Sequence, residues 1–178
     1  MFDQSVEGTR LAPEESYTTT GSPVGSLTLV KRGEDLVGLF FPGHRPAPRL
    51  SRLGDKAAGG FGDVETQLAE YFAGTRRQFD VPSVAMGTSQ QRRVWAQVSA
   101  IPYGETATYG RLADQLGDGT TAQEVGVALA RNPLCIVIPC HRIVGADGGL
   151  TGYAGGIGRK RFLLELEQRV AGCSGRLF

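Results

Sequence analysis

Cysteine is scarce in this chain, with three among 178 residues. No apolar run approaches the roughly 18 residues that a membrane-spanning helix needs. Cys135, Cys140 and Cys173 form an odd, sparse set, which excludes the dense, even disulfide framework of a small secreted domain and points to reduced thiols. Only two histidines stand beside them, and paired C-x-x-C spacing is missing, so a zinc site would have too few ligands. Met1 to Glu15 carries acids where a secretory leader would be basic. These absences predict a cytoplasmic protein without a membrane segment, a structural metal or a cofactor.

Excess charge of either sign is also missing, since 19 basic and 18 acidic side chains leave a formal +1. The halves differ, however. Residues 1–88 hold 9 basic and 11 acidic side chains, net −2, and residues 89–178 hold 10 and 7, net +3. A solvated face accounts for such a split as readily as a nucleic-acid partner does. What the chain has in plenty is glycine, 26 residues, about twice the usual share of roughly 7%. The glycines cluster between periodic segments, where tight turns need them. Hydrophobic residues at 40% and charged residues at 21% fit a folded globular chain and exclude a disordered or fibrous one.

The periodicity predicts an α+β protein in two parts: residues 1–86 as a small sheet-and-helix unit, and 87–178 as a mainly helical one. Ser26–Lys31 and Asp35–Phe41, separated by Arg32-Gly-Glu, read as an antiparallel hairpin. Pro42 to Gly62, with three prolines and five glycines, reads as a loop. Val64, Leu68, Tyr71 and Phe72 then make the stripe of a helix ending near Gly74. In the second part, Thr88 with Gln91 forms a capping box for a helix carrying Val94, Trp95 and Val98. Thr108 caps a short helix through Leu116, Gly117-Asp-Gly119 turns the chain, and Thr121 with Glu124 caps another helix to about Arg131. That spacing suits a helix-turn-helix and equally an ordinary helical pair. The second helix is slim, through Ala122, Gly126, Ala128 and Ala130. Leu134–Ile138 reads as a buried strand stopped by Pro139. After the glycine-rich stretch Gly145 to Gly158, a last helix is expected to bury Phe162, Leu163 and Leu166.

Pro139-Cys140-His141-Arg142 sets a nucleophile, a base and a permanent cation directly after that apolar run. Burial raises a thiol's pKa above its free value of about 8.5, so a reactive buried cysteine needs a compensating base or dipole. Neighbours on an extended chain point to opposite faces. Cys140 and His141 therefore cooperate only through a turn or a bridging water. An imidazole base also needs an orienting acid, and Glu165 and Glu167 on the last helix are candidates. Cys135 and Cys173 read as inert core residues. A Cys135–Cys140 disulfide is excluded if both lie on one strand, because five residues place them on opposite faces.

Ile138-Pro-Cys-His-Arg-Ile143, with Asn132-Pro133 before it and Thr151-Gly-Tyr-Ala-Gly-Gly156 after it, resembles the O6-alkylguanine-DNA alkyltransferases, also called methylated-DNA–protein-cysteine methyltransferases. The resemblance runs from about Thr88 to Arg169 and includes Ile101-Pro-Tyr-Gly-Glu105 and Thr108-Tyr-Gly110. Gly21-Ser-Pro-Val-Gly25 and the hairpin after it resemble the family's N-terminal domain more loosely. It implies a monomeric suicide repair protein for O6-alkylguanine and O4-alkylthymine that binds double-stranded DNA through the minor groove, flips the damaged base out and takes its alkyl group on a cysteine.

Carried over by motif, the resemblance makes Cys140 the acceptor, His141 a water-mediated base, Glu167 its orienting carboxylate, Asn132 a hinge and Tyr109 a hydroxyl donor to the leaving base. Tyr153 with the backbone at Ala154 and Gly155 would wall the pocket, and carbonyls near Cys140 and Ile143 would accept from the guanine amino group. Thr121, Ala122, Gln123, Gly126 and Arg131 would face DNA. Three departures stand out: Gln123 replaces a common arginine, Ala154 replaces a common serine, and the N-terminal zinc ligands of some relatives are missing. The competing readings are a Cys-His hydrolase, which must turn over through an oxyanion hole, and a non-catalytic lesion binder, which lacks the acceptor cysteine.

Overall fold

The computed structural model describes residues 14–44 and 54–172. Strands β1 (Glu15–Thr20), β2 (Leu27–Arg32), β3 (Asp35–Phe40) and β4 (Asp55–Lys56) form one sheet in the order β3-β2-β1-β4. β2 and β3 are the expected hairpin. It turns at Gly33, whose φ of 61° suits glycine. β1 and β4 were not expected. β1 reads Glu-Ser-Tyr-Thr-Thr-Thr, β-branched and aromatic but without apolar alternation, and it pairs antiparallel with β2 from Glu15↔Arg32 to Thr20↔Leu27. β4 lies inside the stretch read as a loop and pairs parallel with β1. Residues 45–53 of that stretch, and Cys173, lie outside the described residues.

Helix α1 (Gly62–Phe72) buries Val64, Leu68 and Tyr71, as its stripe requires. Helix α2 (Ser89–Ser99) opens at the Thr88–Gln91 capping box and buries Val94, Trp95 and Val98. A two-residue strand β5 (Ala107–Thr108) leads into α3 (Tyr109–Leu116), where the Thr108 side chain accepts from Arg111 N. Gly117 stops α3 in the left-handed region at φ 69°. Helix α4 (Ala122–Ala130) then begins at the Thr121–Glu124 capping box. Trp95 Nε1 donates to Ala128 O at 2.9 Å and so ties α2 to α4. Strand β6 (Ile143–Val144) pairs parallel with β5, and α5 (Ile157–Ala171) closes the described chain.

Two expectations are corrected here. Leu134–Ile138 is buried but is not a strand: it folds as a tight turn between isolated bridges, Leu39 to Leu134 and Cys135 to Ile138. Ile138 N donates back to Leu134 O at 2.8 Å, and Ile136 takes φ 71°, a region that β-branched residues rarely enter. A continuous apolar run reports burial and leaves conformation open. The face argument that separated Cys135 from Cys140 falls with the strand. On α5, Phe162 is 37% exposed, and the buried stripe runs instead through Lys160, Leu163, Leu164, Leu166 and Glu167. Two charged residues hold positions that an apolar stripe would occupy.

The sheet and the helices share one core. Leu27, Leu36 and Leu39 meet Val94, Leu112, Val125 and Leu163 in a single cluster. The outer edge of β3 is covered by later chain: Leu36 N donates to Pro82 O at 2.8 Å, and with the second part Leu39 N donates to Pro133 O at 2.8 Å and Cys135 N to Leu39 O at 3.1 Å. The segment that leads into Pro139-Cys140-His141-Arg142 is thereby hung on the sheet. Among the described residues, no helix is long and apolar enough to cross a membrane.

Leu39 is fully buried at this seam. Leu39→Ala is expected to cost about 2–5 kcal/mol in urea unfolding. The loss should appear in one cooperative transition followed by both far-ultraviolet circular dichroism and Trp95 fluorescence, because the two parts share a core.

Candidate active site

Pro139 leads the chain into a single 3₁₀ turn, Cys140–Arg142, from which Cys140 and His141 face different neighbours. Cys140 is 5% exposed. Asn132 fixes it from the end of α4: Nδ2 donates to Cys140 Sγ at 3.0 Å and to Ile138 O at 2.9 Å, while Oδ1 accepts from Leu134 N at 2.9 Å. Cys135, fully buried, belongs to the same core cluster as Cys140. Hydrogen bonding from Cys135 and Asn132, with the charge of Lys160, outweighs burial and lowers the Cys140 pKa below that of a free thiol. Lys160 is itself buried. Its Nζ donates to Thr151 O at 2.9 Å, and burial brings its pKa down to about 8 against the opposing pull of Cys140.

His141 and Arg142 point the other way, into Glu167. His141 Nε2 lies 2.8 Å from Glu167 Oε1, Arg142 donates through Nε at 2.8 Å and Nη2 at 3.0 Å, Tyr71 Oη at 2.7 Å and Gly104 N at 3.1 Å. Burial alone would raise this carboxyl's pKa, but His141 and Arg142 outweigh it and hold it well below the usual carboxylate range. An ionised Glu167 accepts only, so Nε2 carries the imidazole proton and Nδ1 is the free base. Burial keeps His141 easier to deprotonate than a free imidazole despite Glu167. Nδ1 is buried without a hydrogen-bond partner among the described residues.

A cavity of about 580 Å³ opens onto Cys140 between α4 and the loop Thr151–Ala154, within the range that holds small ligands. Tyr109, Ala122, Gln123, Gly126 and Val127 line one side, Gly152, Tyr153 and Ala154 the other. Tyr109 Oη reaches Gly152 O at 3.5 Å across the mouth. The buried Tyr153 hydroxyl sits beside Cys140, its pKa raised by burial first and by the sulfur's charge next. Val127 is 52% exposed at the rim, an apolar side chain presented outward beside the exposed Gln123. Ala128, by contrast, faces the core.

The structure thus brings Cys140, Asn132, Tyr109, Tyr153, Ala154, Ala122, Gln123 and Gly126 to one cavity, with His141 and Glu167 directly behind it. Thr121 caps the lining helix, and Arg131 is exposed just past its end. Ile143 is fully buried in the β5–β6 pair, and Gly155 packs behind the wall, where a Cβ would come within 2.5 Å of the Phe41 ring. Glu165 is exposed and takes no part.

Residues 89–169 match the family described as 6-O-methylguanine DNA methyltransferase, DNA binding domain, and residues 16–83 match its ribonuclease-like domain. A Mycobacterium bovis protein named methylated-DNA–protein-cysteine methyltransferase is 45% identical over 162 residues, covering 91% of this chain and 98% of that one. The chain belongs to this family. A Methanosarcina acetivorans relative of the same name is 40% identical, over 85% of this chain and 97% of its own. The crystal structure of Mycobacterium tuberculosis OGT in complex with DNA superposes with a TM-score of 0.82 at 45% identity, over 87% of this chain and 94% of that one.

Sequence reasoning missed Tyr71, Lys160 and Arg159. Tyr71 read as one more apolar stripe residue, although a buried tyrosine hydroxyl demands a partner. Lys160 was legible from spacing, since it stands three, four and seven residues before Leu163, Leu164 and Glu167. Arg159 donates to Val24 O at 2.7 Å, Pro42 O at 3.1 Å and Gly155 O at 2.7 Å, clamping the cavity loop to the sheet domain; no local pattern reports such reach.

Glu167→Gln is expected to destabilise the protein by about 3–5 kcal/mol at neutral pH, the cost of breaking a buried pair. Because the folded carboxyl titrates below its unfolded value of about 4.3, its contribution is complete above that value and fades as pH falls through the folded pKa. Urea unfolding from pH 7 to pH 3 should show the gap between the two proteins constant above about pH 5 and narrowing below about pH 4.

Proposed function

We propose that this protein repairs alkylated DNA by moving the alkyl group from O6 of guanine, and from O4 of thymine, to Cys140 Sγ, irreversibly and once per molecule. The observation that carries the reading is a buried thiol, held by Asn132 Nδ2 at 3.0 Å and with its pKa lowered, at the floor of a cavity whose rim is the second helix of a helix-turn-helix. The thiol proton passes to His141 Nδ1 through one water, and Glu167 holds that imidazole in the tautomer able to receive it. The sulfur then attacks the sp³ alkyl carbon, the carbon–oxygen bond breaks, and the electron pair leaves on the base. Tyr109 Oη donates toward the base as that charge develops. Carbonyls near Cys140 and Ile143 accept from the guanine amino group. The product thioether has no carbonyl for water to attack, so the acceptor is spent and no cofactor takes part.

DNA enters from the α4 side. A base in the stack cannot reach Cys140, so it is extruded into the cavity at a cost of a few kcal/mol. Residues 87–178 supply this machinery and residues 1–86 support it, in a monomer acting in the cytoplasm. Thr121, Ala122 and Gly126 allow close approach in the minor groove, Gln123 fills the space that the base vacates, and Arg131 attracts phosphate, which makes binding weaken with added salt.

DNA carrying a labelled O6-methylguanine should transfer its label to protein in one-to-one stoichiometry, and Cys140→Ser should abolish the transfer; repeated product release without labelled protein would overturn the reading in favour of a hydrolase. Gln123→Ala should slow repair of duplex DNA much more than repair of the same lesion in a single strand, where no base pair needs filling. Equal rates for the variant and the parent on duplex would remove that role from Gln123.

A further inference from the structure

Gly21-Ser-Pro-Val-Gly25 takes no part in the transfer chemistry, yet a line of contacts runs from it to the cavity wall. The segment folds as a tight turn, with Gly25 N donating to Ser22 O at 3.0 Å and Ser22 Oγ to Gly25 O at 2.6 Å. That turn presents the Val24 carbonyl, which accepts from Arg159 Nε at 2.7 Å. Arg159 Nη1 donates to Pro42 O at 3.1 Å and to Gly155 O at 2.7 Å, and its guanidinium stands 5.7 Å from the centre of the Phe41 ring. Phe41 meets the cavity loop twice: a Cβ at Gly155 would lie 2.5 Å from its ring, and the Tyr153 ring is centred 5.7 Å away. Tyr153 faces the cavity, and its buried hydroxyl has no hydrogen-bond partner among the described residues. Packing therefore places that ring.

We propose that Arg159 is a positioning residue that determines which alkyl groups fit: by tying the Ser22–Gly25 turn and Pro42 to Gly155, it seats Phe41 against Tyr153 and fixes the width of the cavity over Cys140. The inference rests on Cys140 being the acceptor. The loop is held at its start by Lys160 Nζ on Thr151 O at 2.9 Å and at its end by Arg159 on Gly155 O. Only the second hold reaches the sheet domain, through the same guanidinium. A planar fork of donors can bond three carbonyls and lie over a ring at once, which a single ammonium cannot. The wall between the two holds is glycine-rich and has no secondary structure, so it yields when the second hold is lost. A wall that yields has two effects of opposite sign. A small alkyl carbon loses its alignment with the sulfur, where a shift of about 1 Å costs up to about a hundredfold in rate. A bulky group gains room, in a pocket where each methylene counts for roughly tenfold or more.

Single-turnover transfer by the full-length protein, from duplex DNA carrying O6-methylguanine or O6-benzylguanine, tests this. Arg159→Ala should lower the saturating methyl rate about tenfold while leaving the DNA concentration for half-saturation unchanged, because α4 is untouched. The ratio of benzyl to methyl rates should rise about tenfold. Arg159→Lys keeps a cation over Phe41 and part of the donor set, and should bring the ratio part of the way back. An unchanged ratio in Arg159→Ala would overturn the inference, and so would equal losses on both substrates, since that pattern marks a general loss of structure. A measurement on the unsubstituted protein guards against a misfolded variant: the Arg159 Nε proton, donated to Val24 O, should exchange with solvent at least about tenfold more slowly than that of free arginine. Exchange as fast as in free arginine would overturn the inference. No transfer of either group by the parent protein would overturn the acceptor reading itself, and this inference with it.

Discussion

One buried carboxylate organises this molecule. Glu167 takes hydrogen bonds from Tyr71 on α1, Gly104 in the connection before β5, and His141 and Arg142 in the turn after the acceptor. Its donors come from both parts of the chain. Leaving it ionised without them would cost far more than the site could bear, and their own polar atoms would be stranded in turn. The arrangement adds little net stability, as buried ion pairs seldom do, but it admits few alternative geometries. It therefore ties α1, the connection before β5 and the 3₁₀ turn to α5 and sets the tautomer of His141.

On the opposite side of that turn the electrostatics reverse. Glu167 draws cations and donors to one face, whereas Cys140 needs groups that accept an anion, and Asn132 and Lys160 supply them. Lys160 and Glu167, seven residues apart on the buried side of α5, serve the two faces from one helix. The lysine lends its charge to the side of the sulfur while bonding Thr151 O, and the carboxylate meets the imidazole.

The cavity depends on both parts of the chain as well. Its outer wall is α4, exposed at Gln123 and Val127, and its inner wall is a glycine-rich loop with no secondary structure of its own. That loop keeps its shape because Phe41 fills the space beside Gly155, and Arg159 bonds carbonyls of the loop and of the sheet domain. The N-terminal part thus acts on the site without lining it.

Local signals in the sequence determined the helix starts at Thr88, Thr108 and Thr121, the hairpin at Gly33, and the run Pro139-Cys-His-Arg, because capping, turn chemistry and periodicity act within a few residues. They also narrowed the orienting acid to Glu165 and Glu167 on the last helix. Only the tertiary structure decided that Tyr71, 96 residues away from Glu167, completes its shell, that the apolar run before Cys140 is a turn, and that His44 packs against Cys135. The physical reason is that these positions follow from how β3 grips the segment Pro133–Cys135. Such long-range pairing is set by the packing of the whole core and leaves no period in the residues that obey it.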